Sequence, residues 1–192
     1  MKLSMLLEDI TGEMNDWYIT RTNNHIAGVK NYANKIAKVF PELKDVQQQS
    51  LTHDQSKFKD PEAVPYIHIT WQYKMKDAGK NYNPPESIKK QMNEATQHHV
   101  KNNRHHPEFH SEESTSSYDR ENRDKPSEAI IDSTSMPDID IAEMCADWCA
   151  MSEEKGNTPQ TWADKNVNIR WKFNDKQKEL IYKILNSIWN IK

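Results

Sequence analysis

An imidazole and a carboxylate stand side by side at His53-Asp54, and two such side chains can bind one divalent cation from a single point of the backbone. Imidazole nitrogen and carboxylate oxygen are both common ligands of transition metals in proteins. A His-Asp pair is frequent by chance, so its meaning depends on donors elsewhere in the chain. The other candidates are His25, His98, His99, His105, His106 and Asp147. Together they predict a centre of one or two metal ions of the kind that supports hydrolysis.

The elements that must position these donors are predicted to be helices. The chain of 192 residues has only four glycines and long stretches of helix-favouring residues. Apolar residues recur at helical spacing along most of it. The length suits one domain with its own core. We therefore expect an all-α fold, a single domain of about six to seven helices.

Helix boundaries follow from apolar spacing and from capping residues. The expected helices are 2–20, 22–40, about 42–56, one starting at Asp60-Pro61, 85–102, one from Asp138 to Gly156 with a short segment around Trp162 after it, and 174–191. The stretch 111–135 is rich in Ser, Glu, Asp, Arg and Lys, which predicts a polar loop with one short helical turn at 129–131. The core should span about 20–155, and the helix over 174–191 should pack onto it.

The helical period separates the two adjacent histidines of the fifth predicted helix. One stripe of this helix consists of Ile88, Met92, Ala95 and His99. His98 is rotated by about 100° from that stripe. If only one of the pair binds metal, the pattern favours His99.

Each donor taken alone has a simpler explanation. A histidine on a core-facing stripe is usually a hydrogen-bonded structural residue. A mid-helix carboxylate such as Asp147, beside Trp148, can be balanced by an arginine or by N–H donors instead of a metal. Independent structural residues would not be expected to place an inward donor on so many separate helical segments, and this distribution favours one shared site.

Charge and composition restrict the partners. The formal charge of −3 gives no overall reason to expect binding to nucleic acid and favours a small substrate. No apolar run approaches the roughly 20 residues of a membrane span, and acidic residues interrupt the first nine positions, unlike in a signal peptide. Cys145 and Cys149 are predicted to be buried thiols in a reducing compartment. The expected location is the cytoplasm, the host cytoplasm if the chain is phage-encoded, and homo-oligomer formation is left open.

The order His, His-Asp, His, Asp on helices resembles that of the HD-domain superfamily of metal-dependent phosphohydrolases. Three blocks, HDQSKF at 53–58, HHVKNNRHHPE at 98–108 and EMCADWCAMS at 143–152, resemble an uncharacterised HD-like group of bacterial and phage proteins. The resemblance covers roughly residues 25–155. It implies a helical HD-type domain that hydrolyses a phosphate ester, a nucleotide or another small phosphorylated metabolite, by attack of a metal-activated hydroxide.

The resemblance also implies the roles of individual residues. The positions that match the core metal ligands are His25, His53, Asp54 and Asp147, and Asp54 would be the bridging carboxylate. The additional histidines that hold a second ion in two-metal members correspond to His99 with His105 or His106. The spacing from His99 to His105-His106 is shorter than usual, so one histidine pair could bind substrate phosphate instead. His68 remains a spare candidate ligand.

Catalytic and substrate-binding roles are carried over in the same way. Lys57 matches a lysine that contacts substrate or the bridging oxygen in a His-Asp-x-Gly-Lys variant, although Ser56 replaces its glycine here. The expected catalytic residues are Asp54, Lys57 and His106, and the expected substrate-binding residues are Lys57, His98, Arg104 and His106. Glu108 and Glu143 are candidate acceptors for the far nitrogens of ligand histidines.

The mixed donor set favours Mn, Fe, Co, Ni or Zn over Mg. Two other functions stay open at this stage. One is a diiron oxygenase, because HD members that activate O₂ share the His-Asp-x-x-Lys pattern. The other is a degenerate HD scaffold that serves as a binding module, for example in phage–host conflict.

Overall fold

The computed structural model describes residues 10–112 and 130–191, and these ranges contain seven α-helices. The helices are α1 (Gly12–Val39), α2 (Val46–Gln49), α3 (Ala63–Asp77), α4 (Glu86–Asn102), α5 (Asp138–Lys155), α6 (Pro159–Asn166) and α7 (Asp175–Ile188). Short 3-10 turns lie at Pro41–Leu43, Ser50–Thr52, Gln55–Phe58 and Pro107–His110. The prediction of an all-α single domain is confirmed.

Helix α1 is one continuous helix where the sequence predicted two. Its N-cap is Thr11, whose hydroxyl accepts from the amide of Met14, and residues 2–9 of the predicted first helix lie outside the described ranges. The break expected near Thr22 is wrong. Thr22 is buried within the helix, and neither proline nor glycine stands near it to end the helix. Polar residues that favour caps do not by themselves interrupt a helix whose apolar face is packed.

The predicted helix over 42–56 is also wrong. Only Val46–Gln49 is α-helical there, and it runs into a 3-10 turn over Ser50–Thr52. Asp54 then has a φ of 58°, in the left-handed region that ends helical structure. His53 and Asp54 therefore lie in a turn between helices and not within one.

Two further boundaries differ from the prediction. Helix α3 begins at Ala63, so Asp60 and Pro61 lie in the turn before it. Ile131–Asp132 is a short strand that pairs in parallel with Trp171–Lys172, where a helical turn was expected; residues 113–129 of the predicted loop lie outside the described ranges. A β-branched residue such as Ile131 suits an extended backbone.

Two apolar clusters form the core. The larger one joins α1, α5 and α7, with Ile36, Ile141 and Ile184 fully buried. The smaller one joins the start of α1 to α3 and α4 through Tyr18, Ile67 and Ile88. Within the described ranges, no helix is long and apolar enough to cross a membrane.

Candidate metal centre

Four donor atoms from three elements converge on one point. His25 Nε2 lies 3.0 Å from Asp147 Oδ1, and the Nε2 atoms of His25 and His53 are 3.4 Å apart. Each of these two nitrogens is 3.6 Å from Asp54 Oδ2. His25 comes from α1, Asp147 from α5, and the His-Asp pair from the turn before α3. We call these four residues the first cluster.

A close contact between α1 and α5 brings His25 and Asp147 of the first cluster together. Gly28 lies three residues after His25, and Ala150 lies three residues after Asp147, so each is about one helical turn farther on. A Cβ built on Gly28 would be only 3.2 Å from the Cβ of Ala150. The absence of a side chain at Gly28 lets the helices approach closely at this point.

The left-handed turn at Asp54 positions the central pair. With a φ of 58°, Asp54 gives the backbone a left-handed bend between His53 and Gln55. Aspartate adopts this conformation more readily than most residues because its short polar side chain forms local hydrogen bonds. Both His53 and Asp54 are buried, at 2% and 1% exposure.

The second oxygen of Asp54 faces a different group of imidazoles. Oδ1 of Asp54 lies 3.2 Å from Nε2 of His99 and 3.6 Å from Nε2 of His105. His106 adjoins them, with its ring centroid 4.8 Å from that of His99 and 4.2 Å from that of His105. We call Asp54, His99, His105 and His106 the second cluster. The two clusters share one carboxylate.

The spacing of the donors fits metal coordination. Bonds of about 2.0–2.2 Å in a tetrahedral site place neighbouring ligands about 3.3–3.6 Å apart. The separations in the first cluster run from 3.0 Å to the 3.8 Å between His53 Nε2 and Asp147 Oδ1. Within the described residues, two buried polar atoms of the second cluster have no hydrogen-bond partner: Asp54 Oδ1 and His106 Nε2. Buried polar atoms of this kind call for an ion or water.

The charge states also suit ligands. Burial opposes the charge on Asp54, but Lys57, His53 and His99 outweigh it and hold the pKa of that carboxyl well below its usual range. Burial, together with the neighbouring His53, lowers the pKa of His105 to about 3. Metal ligands must be deprotonated. Asp54 is therefore a carboxylate and His105 a neutral imidazole at neutral pH.

Two buried carboxylates orient His53 and His99 through Nδ1, the ring nitrogen that faces away from the clusters. Glu143 Oε1 lies 2.8 Å from Nδ1 of His53, and Glu62 Oε2 lies 2.8 Å from Nδ1 of His99. A carboxylate can only accept, so each Nδ1 carries a proton, and in the neutral ring Nε2 keeps its lone pair for the cluster. The sequence pointed to Glu143 for such a role but missed Glu62.

Glu108, the other acceptor suggested by the sequence, has different partners. Its Oε1 accepts from Arg170 at 3.2 Å and from the indole of Trp171 at 2.9 Å. Both donors come from the segment around the short second strand. Glu108 thereby joins the segment that carries His105 and His106 to the C-terminal part of the chain.

Lys57 lies beside Asp54, the carboxylate that the two clusters share. Its Nζ is 2.5 Å from Asp54 Oδ2 and 5.3 Å from the centroid of the Tyr66 ring. The hydroxyl of Tyr18 donates to the backbone carbonyl of Lys57, which holds the turn against α1. Ser56, at the position where the variant that the sequence resembles has glycine, therefore does not keep Lys57 from the central carboxylate.

The structure does not bring all predicted site residues together. His98 is 39% exposed at its side chain and bonds to Glu62 through Nδ1 at 2.7 Å. Arg104 is 54% exposed and pairs with Asp140 at 2.9 Å. The spare candidate His68 is buried beside the hydroxyl of Tyr82, 2.7 Å away. None of the three lines the cavity over the two clusters.

That cavity has a volume of about 390 Å³ and a mixed lining. Lys57 and the members of both clusters other than His53 form its polar end. Apolar and aromatic side chains form the remaining wall, with Arg21 and Lys155 among the polar residues that border it. The aromatic residues are Tyr66, Tyr73, Trp148, Trp162 and Trp171. A pocket of this size and character can enclose most of a small molecule.

The residues that the sequence missed are mainly Glu62 and the aromatic wall. Glu62 follows Pro61, and the sequence at this point predicted only the start of a helix. Trp148, Trp162 and Trp171 belong to three separate segments whose meeting depends on the tertiary fold. The available signal for Glu62 was its nearness to the His53-Asp54 turn, where a buried acid is expensive unless paired.

Comparison with known families gives one family model that matches most of the chain. A family model described as a family of unknown function (DUF5662) matches residues 14–188. The chain belongs to this family. For this DUF5662 protein, the matched range runs from α1 to the last residue of α7 and includes every member of both clusters. No curated protein and no solved structure matched the chain.

Proposed function

We propose that this DUF5662 protein is an HD-type metal-dependent phosphohydrolase with two metal subsites. The observation that supports it most is the position of Asp54, whose Oδ2 faces the Nε2 atoms of His25 and His53 while its Oδ1 faces those of His99 and His105. A carboxylate with one oxygen on each of two imidazole clusters is suited to bridge two ions. The resemblance in the sequence implies the same bridging role for Asp54, which supports the proposal.

The ligands divide between the two subsites. The first cluster would hold one ion through His25, His53, Asp54 and Asp147. The second would hold another through Asp54, His99 and His105, with His106 as a neighbour. When bound, divalent ions at such subsites lower the pKa of a water molecule toward neutrality and offset charge on a phosphoryl group. Mn, Fe, Co, Ni and Zn fit the donors better than Mg.

Lys57 supplies the positive charge for substrate. In the structure its ammonium group touches Asp54 Oδ2, and its side chain lines the cavity. A phosphate placed over the two clusters would lie within reach of this ammonium group, which can bind a phosphoryl oxygen. His106 also lines the cavity, beside His99 and His105. We assign Lys57 and His106 to substrate binding and omit His98 and Arg104, which have partners away from the cavity.

The aromatic wall supports a substrate with a flat apolar part. Stacked or edge-on contacts with Tyr and Trp rings favour a ring system, as in a nucleotide. A volume of about 390 Å³ suits a small ester and not a long polymer. The phosphate would face the clusters, and the remainder of the molecule would lie against the wall.

The experiment that tests this function joins metal analysis to an activity screen. Purified protein is analysed for metals by mass spectrometry and then incubated with phosphomonoesters and phosphodiesters in the presence of Mn²⁺, Co²⁺, Ni²⁺ or Mg²⁺. We expect bound transition metal and turnover of at least one small ester. Replacing Asp54 by Ala should remove metal and turnover together, whereas Asp164→Asn, at an exposed carboxylate, should change neither.

The other outcomes separate the rival functions. Consumption of O₂ by protein with a mixed-valent iron signal in electron paramagnetic resonance would favour an oxygenase. Protein without metal and without turnover across the panel would favour a binding module. Retention of the full metal content in the Asp54→Ala variant would contradict the proposed centre.

A further inference from the structure

Glu62 is a completely buried carboxylate with three polar partners. Its Oε2 lies 2.8 Å from Nδ1 of His99 and accepts from the Ser56 hydroxyl at 2.9 Å. Its Oε1 lies 2.7 Å from Nδ1 of His98. The residue immediately precedes α3, so it connects this helix to α4 and to the turn that carries Asp54. Burying such a group without partners would be costly.

The geometry determines which nitrogen of His99 is available to an ion. A carboxylate accepts and cannot donate, so Nδ1 of His99 carries the hydrogen. In the neutral ring the opposite nitrogen, Nε2, then has a lone pair available to an ion, and it lies 3.2 Å from Asp54 Oδ1. Without Glu62, both tautomers and other ring orientations would become accessible to His99.

Glu143 serves the other cluster in the same way. Its Oε1 lies 2.8 Å from Nδ1 of His53, and its Oε2 accepts from Gln49 at 2.8 Å. It also reaches toward the second cluster, but less closely, with Nδ1 of His105 at 3.7 Å. The two carboxylates come from different elements, the turn before α3 and the helix α5. Each cluster therefore has its own principal support.

We propose that Glu62 is a positioning residue for the second metal subsite alone, and that Glu143 is its counterpart mainly for the first. This inference rests on the proposed two-metal function. Glu62 fixes the tautomer and orientation of His99, so the affinity for the second ion depends on it and the affinity for the first ion does not. The strengths of the two subsites can accordingly be changed one at a time without replacing a ligand.

The first test is a calorimetric titration of metal-free, full-length protein with Mn²⁺. The wild type should bind two ions. Glu62→Gln should weaken the second ion by about 10–100-fold, the usual effect of losing a partner of a ligand histidine, and leave the first unchanged. Glu143→Gln should weaken the first ion more than the second. Glu13→Gln, at an exposed carboxylate paired with Lys74, should match the wild type.

The second test needs no metal. Imidazole ¹⁵N shifts of the metal-free protein should show His99 with its hydrogen on Nδ1, and Glu62→Gln should weaken or abolish that preference. Far-UV circular dichroism checks that each variant folds. If Glu62→Gln fails to fold, Glu62→Asp, which keeps the charge but shortens the reach, should show the same effects to a smaller degree.

The outcomes distinguish the two proposals. A wild type that binds two ions, with the same two affinities in Glu62→Gln and an unaltered His99 tautomer, overturns the role of Glu62 and leaves the metal centre standing. Equal weakening of both ions in Glu62→Gln also overturns it, because the effect would then not be confined to one subsite. A wild type that binds no ion overturns the proposed function, and the inference about Glu62 falls with it.

Discussion

Oδ1 of Asp54 lies 3.2 Å from Nε2 of His99, although one residue lies in a left-handed turn and the other near the end of helix α4. The other oxygen of the same carboxylate faces His25, from α1, at 3.6 Å. Asp54 is thus the point at which two groups of imidazoles meet. Asp54 is the one ligand that the groups share, although the rings of His53 and His105 also touch, with centroids 4.1 Å apart. Changes at His25 or His99, outside that contact, should therefore be separable.

The first prediction uses that separation. His25→Ala removes a donor from the first cluster and His99→Ala removes one from the second, so each variant should lose one ion and keep the other. The affinity at the damaged subsite should fall by more than the roughly 100-fold that marks the upper end for outer partners. Metal stoichiometry measured after dialysis against a fixed free Mn²⁺ concentration checks this.

His68→Ala is the matched control, since His68 bonds to Tyr82 away from the cavity. It should retain both ions. Loss of both ions in His25→Ala as well as in His99→Ala would mean that the clusters form one indivisible site.

The second prediction concerns the charge of Lys57. Lys57→Met keeps most of the side-chain volume but removes the ammonium group beside Asp54 Oδ2. The turnover of a phosphate ester should fall by about 10²–10³-fold, the usual loss when one stabilising donor is removed, while the metal content stays unchanged. Steady-state kinetics on the ester found in the activity screen, with metal analysis of the same sample, tests it.

Arg104→Ala tests another of the four substrate contacts that the sequence suggested, which are Lys57, His98, Arg104 and His106. The guanidinium of Arg104 is exposed and pairs with Asp140, so its removal should leave turnover close to that of the wild type. A large loss of turnover in Arg104→Ala with little loss in Lys57→Met would assign substrate binding to Arg104 and not to Lys57.

Long periodic helices were predictable from the sequence. The stripe of Ile88, Met92, Ala95 and His99 is buried in α4, and His98 is turned away from it, as the helical period requires. Gly156, with a φ of 66°, follows the end of α5 at the predicted residue. In these segments local preference and tertiary packing favour the same structure.

The turn around Asp54 could not be predicted in the same way. The spacing of Leu43, Val46 and Leu51 suggests a helix, yet Leu51 is 49% exposed and the helix ends at Gln49. The left-handed backbone at Asp54 is an exception to local preference, stabilised by its contacts with Lys57 and the imidazoles. Glu62 was missed for a related reason, because its two histidine partners, His98 and His99, come from a distant part of the chain.

The third prediction concerns a buried ion pair. Arg170 and Glu108 are 3.2 Å apart, with side chains 8% and 0% exposed. Arg170→Met would remove this cation from beside the buried Glu108, so the free energy of unfolding should fall by about 3 kcal/mol or more. Urea unfolding followed by tryptophan fluorescence measures it.

The neighbouring pair Lys172–Asp132 gives the control. Its Nζ–Oδ2 distance is 2.9 Å, but both side chains are well exposed, so water and salt screen the attraction. Lys172→Met should therefore change the stability little. An equally small effect in Arg170→Met would show that the buried pair contributes no more than a surface pair.

The fourth prediction concerns the effect of acid on the metal-free protein. Burial and the neighbouring His53 lower the pKa of His105 to about 3, whereas an unfolded histidine titrates at about 6.5. Between these values the unfolded chain binds the extra proton, so the free energy of unfolding falls as the pH falls. For His53, burial lowers the pKa, but Asp54 and the hydrogen bond to Glu143 raise it above the ordinary value. The contribution of His53 to the free energy of unfolding is therefore fully present below about pH 6.5. It does not offset the further loss that His105 causes at lower pH.

Urea unfolding at pH 6 and pH 5 in the presence of a chelator measures this effect. From His105 alone we expect a loss of about 1 kcal/mol over that unit of pH, since a fully coupled group contributes at most about 1.4 kcal/mol. His105→Gln removes the titrating ring and should reduce the acid dependence by about the same amount. Saturating Mn²⁺ should hold His105 as a neutral ligand and shift the onset of acid unfolding downward. An acid dependence that His105→Gln leaves unchanged would assign it to other groups and contradict the low pKa of His105.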